Sequence, residues 1–481
     1  MSQETANKRI AKNLIFSIAA QAISILTSFV LSFIVPKFIP ELQYAYWQTF
    51  VLYLGYVGVL HFGLLDGIVL RYSQYDYEQL DKARIRSQFQ FLLLFTSICC
   101  IGTCFISALF TKGVTWQIFV LVSIGMITKN IFTYTSYTYQ ITNRIKHYAF
   151  LVIAQRAAYA VMVGILLLLR VQDFYWYCIA DLFGDLVGFV IGTFHNKGLY
   201  FGKSLPFKEG IKETFVNVGA GIFLMIANLS SSLLIGGAKM AVQWRWDELV
   251  FGKVSFSFSV SNLFLTFVTA ISVVLFPSLK RMKEEELPDL YGKIRNVISP
   301  LLFLVMIAFF PMCWVLELWL PKYTESLAYL GVLLPIVIFS SKVSLLTNNY
   351  LKTYRKERVM LLINVICVAL GMAMYLICAY LLNDLDLLLY SVVLIILIRS
   401  IVSEIVVMKI IKRVNYFDFA IELIMTVIFV VAARYFSLWT GFLIYAVALA
   451  GYCILYRKNL AGIYRALKKK VKEKSGVINK E

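Results

Sequence analysis

Eight of the charged side chains that stand inside otherwise apolar stretches mark candidate sites. They are Lys129, Arg156, Asp181 and Asp185 in the first half of the chain, and Lys253, Lys342, Arg399 and Glu404 in the second. At mid-membrane each would cost about 2.5–3.5 kcal/mol on insertion scales, so each is expected to face a partner, a cavity or water. Helical spacing sorts them onto faces. Lys129, Thr133, Ser136 and Gln140 recur at steps of four, three and four, which stacks them on one side of a helix. Asp181, Asp185, Gly188, Gly192 and His195 do the same, as do Asn217, Gly221, Asn228 and Ser231. Pro335, Lys342 and Asn349 lie seven apart. Two kinds of chemistry follow. The five cations Arg399, Lys342, Lys129, Arg156 and Lys253 outnumber the carboxylates and would hold an anion. Asp181 and Asp185, one turn apart, would repel each other in low dielectric, which makes them candidates for carrying a coupling proton, with Glu404 as a third. The opposing reading is that Lys129 or Arg156 neutralises one of these aspartates as a buried pair that fixes packing. Arg156 and Lys342, near the ends of their runs, could also snorkel to water.

The elements that must position these residues are read from hydropathy. From Val254 to Leu279 there is no charge, and at ~1.5 Å per helical residue that run covers a hydrocarbon core of ~30 Å. The whole chain is 60% apolar and 15% charged, with a mean hydropathy of +0.77, outside the range of ordinary soluble domains. Cutting at charged and Pro/Gly-punctuated loops gives fourteen spans: 13–35, 45–70, 89–110, 114–139, 149–169, 174–195, 215–237, 251–279, 296–316, 326–350, 359–382, 387–408, 419–437 and 439–456. The net charge of +19 then has a membrane origin. Lys and Arg crowd the alternate loops that include both termini, which places both termini in the cytoplasm. All eight tryptophans fall at or near the opposite ends of spans, as interfacial anchors would. The eight cysteines lie inside apolar runs without a CxxC pair, so disulfide and zinc roles are not expected.

The phrase made by spans 1 and 2 and the charged segment Arg71–Arg86 returns about two hundred residues later, in spans 7 and 8 and the segment after Pro277. A repeat of hydropathy inside a polytopic chain marks a transporter built from two halves. The expected domains are an N-terminal lobe, 1–200, a C-terminal lobe, 201–414, two further helices, 415–457, and a basic cytoplasmic tail, 458–481, suited to anionic lipid. Polar-faced helices in each half would meet at a water-filled central cavity.

No enzyme signature stands in the chain. There is no GxxxxGK[ST] loop, no HExxH and no GxSxG, and the three histidines, 61, 147 and 195, are far apart. Neither catalysis, cofactor, metal nor nucleic acid is expected, and the short outer loops leave little room for a glycan polymerase or transferase site.

Four stretches carry a family resemblance: NLIFSIAAQAISILTSFVLSFIVPKFI at the start, LGYVGVLHFGLLDGIVLRYSQY after it, and NLSSSLLI and SNLFLTFVTAISVVLFPSLKRM in the second half. They resemble the polysaccharide repeat-unit flippases of O-antigen and capsule assembly. These belong to the superfamily that also holds the MATE drug exporters and the murein-precursor flippases. The resemblance implies an all-α polytopic protein of about fourteen transmembrane helices, with two pseudo-symmetric six-helix lobes in a V shape and two C-terminal helices. It also implies translocation of undecaprenyl-pyrophosphate-linked oligosaccharide to the outer leaflet of a bacterial inner membrane. The partners implied are that lipid-linked substrate, membrane lipids, a polysaccharide polymerase and a chain-length regulator. No family motif assigns a site residue here. The first span carries Gln21 and no intramembrane arginine, which sets it apart from the murein-precursor branch. A MATE-type exporter is the alternative, and its cationic substrates would favour carboxylates.

Overall fold

The computed structural model describes residues 16, 19–280, 284–412 and 417–457, with side chains given outside 267–284. The basic tail 458–481 lies outside the described residues, as does most of 1–18. In hydrocarbon every backbone N–H and C=O must be bonded within its own segment, so apolar runs of this length become helices. Among the described residues there is no strand. Among the described residues, eleven helices are each long and apolar enough to cross a membrane. Two further spans are bent pairs: Glu41–His61 with Leu64–Tyr72 at 54°, and Pro321–Leu333 with Ile336–Thr353 at 42°. The expected span 419–437 is the helix Phe417–Tyr435, which carries Asp418, Glu422 and Arg434. Each of the fourteen expected spans thus coincides with one helix or one bent pair, and the chain is an all-α polytopic membrane protein.

The two bends have different causes. Pro335 follows Leu334 at the second, where its ring and missing N–H interrupt the helical ladder. At the first, the chain passes through a 3-10 turn, Val57–His61, and then two left-handed residues, Phe62 at φ 47° and Gly63 at φ 81°. Glycine adopts that conformation freely, but for Phe62 it costs about 1–2 kcal/mol. Charged residues open several helices as caps. The Asp81 carboxylate accepts from the Arg84 amide at 3.1 Å, and Asp384 accepts from Leu387 at 2.9 Å.

The chain divides into two compact units, 1–256 and 257–481. The division falls within helix Glu248–Lys280, so helix Phe207–Arg245 lies with the first unit. A glycine seam explains why. Leu64–Tyr72 and Phe207–Arg245 approach backbone to backbone: a Cβ on Gly67 would run into the Asn217 carbonyl, and one on Gly221 into the Gly63 carbonyl and the Gly67 amide. Polar side chains fasten the seam. Arg71 donates to Asn217 at 2.5 Å and lies 2.7 Å from Glu213, Tyr72 donates to Glu213 at 2.6 Å, and Asn217 donates to Gln88 at 2.5 Å. Beside it, Phe89 meets Phe189 and Tyr200, and the Tyr200 hydroxyl donates to Thr135 at 2.8 Å. Trp47, expected at an interface, is instead buried between Tyr44 and Tyr177, because aromatic neighbours surround it within the bundle.

In the second unit the two C-terminal helices are part of the core. Phe310, Phe429 and Tyr445 form an aromatic cluster, the Tyr445 hydroxyl donates to the Phe303 carbonyl at 2.9 Å, and Gly441 lets its helix close onto Ala432. The two helices Phe417–Tyr435 and Leu438–Leu455 pack against helix Leu287–Trp319.

Candidate functional site

The first unit gathers four of the expected residues. Lys129, on helix Gly113–Ile141, reaches Asp185, on helix Phe174–His195, with Nζ 3.3 Å from Oδ2. Asp185 is fully buried, whereas the Lys129 side chain keeps 31% of its exposure. Gln155 donates to the other Asp185 oxygen at 3.1 Å from helix Ile145–Leu168. Asp181, one turn before Asp185, is buried as well, and Lys129 interacts electrostatically with both aspartates and with Arg156. Two cations therefore face two carboxylates. Lys129 pairs with Asp185, while Asp181 has no Lys, Arg or His nitrogen within 4.0 Å among the described residues.

The second unit holds a larger buried network. Lys342 sits between Glu404 at 2.6 Å and Glu422 at 2.5 Å. Arg295 joins the same two carboxylates and Asp418: its Nε pairs with Glu404, Nη1 with Asp418, and Nη2 lies 3.3 Å from Glu422. Ser299 donates to Glu422 at 3.1 Å, Tyr291 to Glu404 at 3.2 Å and Tyr456 to Asp418 at 2.5 Å. Removing so many charges from water is costly, and what returns the cost is the density of hydrogen bonds around them. Two expected site residues, Lys342 and Glu404, are thus engaged by partners on helices Leu287–Ile307 and Phe417–Tyr435. Sequence reasoning missed Arg295, Asp418 and Glu422. Their signal was spacing: Asp418, Glu422, Thr426 and Phe429 share one helix face.

Arg399 is buried on helix Leu385–Ile410, in electrostatic contact with Cys367. Lys253 is half-buried near the start of helix Glu248–Lys280. Two residues absent from the sequence reading complete the picture. Lys239 is 9% exposed on helix Phe207–Arg245. Its ammonium lies 5.9 Å from the centre of the Phe251 ring, and among the described residues no carboxylate comes within 4.0 Å of it. On its own helix it stands between Gly236, over which Tyr56 packs, and Gln243, which accepts from Tyr53 at 2.7 Å. Asp66 is buried in the first turn of helix Leu64–Tyr72, just past the left-handed pair, where the helix N-terminus favours a carboxylate. It too has no cationic side-chain nitrogen within 4.0 Å among the described residues.

Solved structures place this arrangement of helices. A lipid II flippase, MurJ, in an inward closed conformation matches with a TM-score of 0.67 at 11% identity, covering 94% of this chain and 100% of that one. A multidrug resistance MATE family transporter of the MOP superfamily, inward-facing, matches at 0.61 and 13% identity, covering 83% and 98%. The chain has the MOP-transporter fold. A MATE in the bent conformation matches at 0.55 and 13% identity, covering 84% and 95%. No family model matches the sequence, and no curated protein does. The fold is thus evident from helix arrangement at an identity where sequence comparison gives nothing.

Proposed function

We propose that this chain is a flippase for lipid-linked oligosaccharides, moving undecaprenyl-pyrophosphate-linked repeat units from the inner to the outer leaflet of a bacterial cytoplasmic membrane by alternating access, with both termini cytoplasmic. A sugar pyrophosphate cannot cross hydrocarbon without replacement of its hydration. The observation that carries the reading is Lys239: a buried ammonium with an aromatic ring and no carboxylate beside it is stabilised by an arriving anion. Support comes from the near-complete overlap in fold with a lipid II flippase. Lys129, Arg156, Lys253 and Arg399 are further contacts for the anion in this reading. Lys342 belongs to the network that ties helix Phe417–Tyr435 to its neighbours. In proteoliposomes, with a fluorescent undecaprenyl-pyrophosphate oligosaccharide and a membrane-impermeant quencher, Lys239→Ala should slow flipping at least tenfold, while Lys239→Arg keeps most of it. Wild-type rates for Lys239→Ala would refute the assignment.

Asp66 and Asp181 favour a second reading, a MATE-type exporter, because buried carboxylates with no cationic nitrogen within 4.0 Å among the described residues suit cationic substrates. They also fit the first reading as sites for a coupling proton. The two readings separate in one assay. With a pH gradient imposed across the proteoliposomes, gradient-driven flipping should disappear in Asp66→Asn or Asp181→Asn while downhill flipping survives. Gradient-driven ethidium efflux by the wild type, with no flipping, would establish the exporter instead.

A further inference from the structure

Helices Lys82–Phe110 and Phe207–Arg245 leave an apolar groove on the surface of the first unit. Its wide end is a cavity of about 340 Å³ whose walls include Phe91, Phe95, Phe215, Val218 and Ile222, with Phe62 of the left-handed pair at its end. A second cavity of about 100 Å³ continues it past Phe91 to Ser87, Gln90 and Gly210. The groove has a structural cause. A Cβ on Gly210 would lie 3.2 Å from the Ser87 side chain, so the two helices touch there. Farther along, the bend at Phe62–Gly63 carries the intervening chain aside and leaves a gap. Phe62 and Phe215 remain 45% and 65% exposed, in apolar surroundings.

Length and charge point to the occupant. From Gly210 to Ile222 the groove follows twelve residues of helix, roughly 18 Å, close to half of a ~30 Å hydrocarbon core and therefore one leaflet deep. At the Gly210 end each of the two helices carries a cation just beyond the residues that line the cavity. Arg84 precedes Ser87 and Phe91 by one and two turns on one helix, and Lys208 precedes Ile211 and Phe215 likewise on the other. The Arg84 guanidinium lies 3.5 Å from Asp81 and 4.0 Å from Glu213, beside Tyr72, and Lys208 is exposed with no carboxylate within 4.0 Å among the described residues. Guanidinium and ammonium groups at a membrane surface attract anionic lipid.

We infer that this groove binds one acyl chain of an anionic glycerophospholipid from the adjoining leaflet, with the phosphate held between Arg84 and Lys208. A long polyprenyl chain exceeds one leaflet and does not fit the groove's depth. The bound phosphate would compete with Glu213 for Arg84, and so bear on the polar contacts that fasten the glycine seam. This site does not depend on the substrate proposed above. The test uses the full chain in phosphatidylcholine nanodiscs doped with phosphatidylglycerol carrying an acyl-chain diazirine. Photo-adducts should concentrate on the peptides holding Phe91–Phe95 and Phe215–Ile222, at least fivefold over those from helix Ile145–Leu168. Both Arg84→Gln with Lys208→Gln and the single surface change Lys208→Glu should lower that labelling at least fivefold, and diazirine-labelled phosphatidylcholine should give only the background level. Even labelling of all lipid-facing helices, equal yields from the two lipids, or indifference to Lys208→Glu would overturn the site. Displacement of the label by equimolar undecaprenyl phosphate would overturn the choice of a glycerophospholipid.

Discussion

Arg295→Met is expected to destabilise the second unit by about 3–5 kcal/mol, the usual cost of removing one partner from a buried ion network. Arg295 touches three carboxylates on two helices. Without it, Glu404, Asp418 and Glu422 lose their shared partner, and Lys342 is left to serve Glu404 and Glu422. The measurement is thermal unfolding of the purified protein in detergent, read with its yield from the membrane. Adding Glu404→Gln and Glu422→Gln to Arg295→Met should recover part of the loss, because those changes remove the stranded charges. Asp185→Asn in the first unit should cost less than Arg295→Met, since Lys129 is 31% exposed and can rehydrate. Equal stability of Arg295→Met and wild type would show that the network holds nothing together.

Gly221→Val should be equally damaging for a different reason. Its new side chain meets backbone, the Gly63 carbonyl and the Gly67 amide, which no rotamer change can move aside. Overpacking usually costs about 1–3 kcal/mol where neighbours can shift, so a rigid seam belongs at or above the top of that range. Gly219→Ala, two residues away on the same helix, is the control. Nothing lies within 4 Å of its Cβ position, and the gain in helix propensity is about 1 kcal/mol. The two substitutions should therefore move the unfolding temperature in opposite directions. A tolerated Gly221→Val would mean that the two helices are not in backbone contact.

Apolar run length makes the helices legible in the sequence, and all fourteen spans follow from it. Their ends are less legible, and that is where the site is hidden. Helix Phe207–Arg245 continues eight residues beyond the expected limit at 237, so Lys239 reads as a loop residue when it is a buried one. Arg295 and Asp418 each fall one residue outside an expected span. Pairing is illegible for another reason: Lys129 and Asp185 are 56 residues apart, and Arg295 and Glu404 are 109 apart. Periodicity gives the face a residue occupies but not the helix that face meets. The bend at Phe62–Gly63 is equally hidden, because HFG in an apolar run does not announce two left-handed residues.

The glycine seam also has a consequence for how the protein is made. Arg71 and Asn217 are 146 residues apart in the chain, and at ~5–20 residues per second roughly 7–30 s of synthesis separates them. For that interval the helix Leu64–Tyr72 has Gly63, Gly67 and the Arg71 guanidinium without the backbone that will cover them. The segment must therefore be inserted, or held at the membrane surface, in a provisional position, and it can settle only when Asn217 and Gly221 leave the ribosome. Slow translation between residues 72 and 217 would lengthen the exposure, which makes this stretch of the message the part of biogenesis most sensitive to codon choice and to insertase supply.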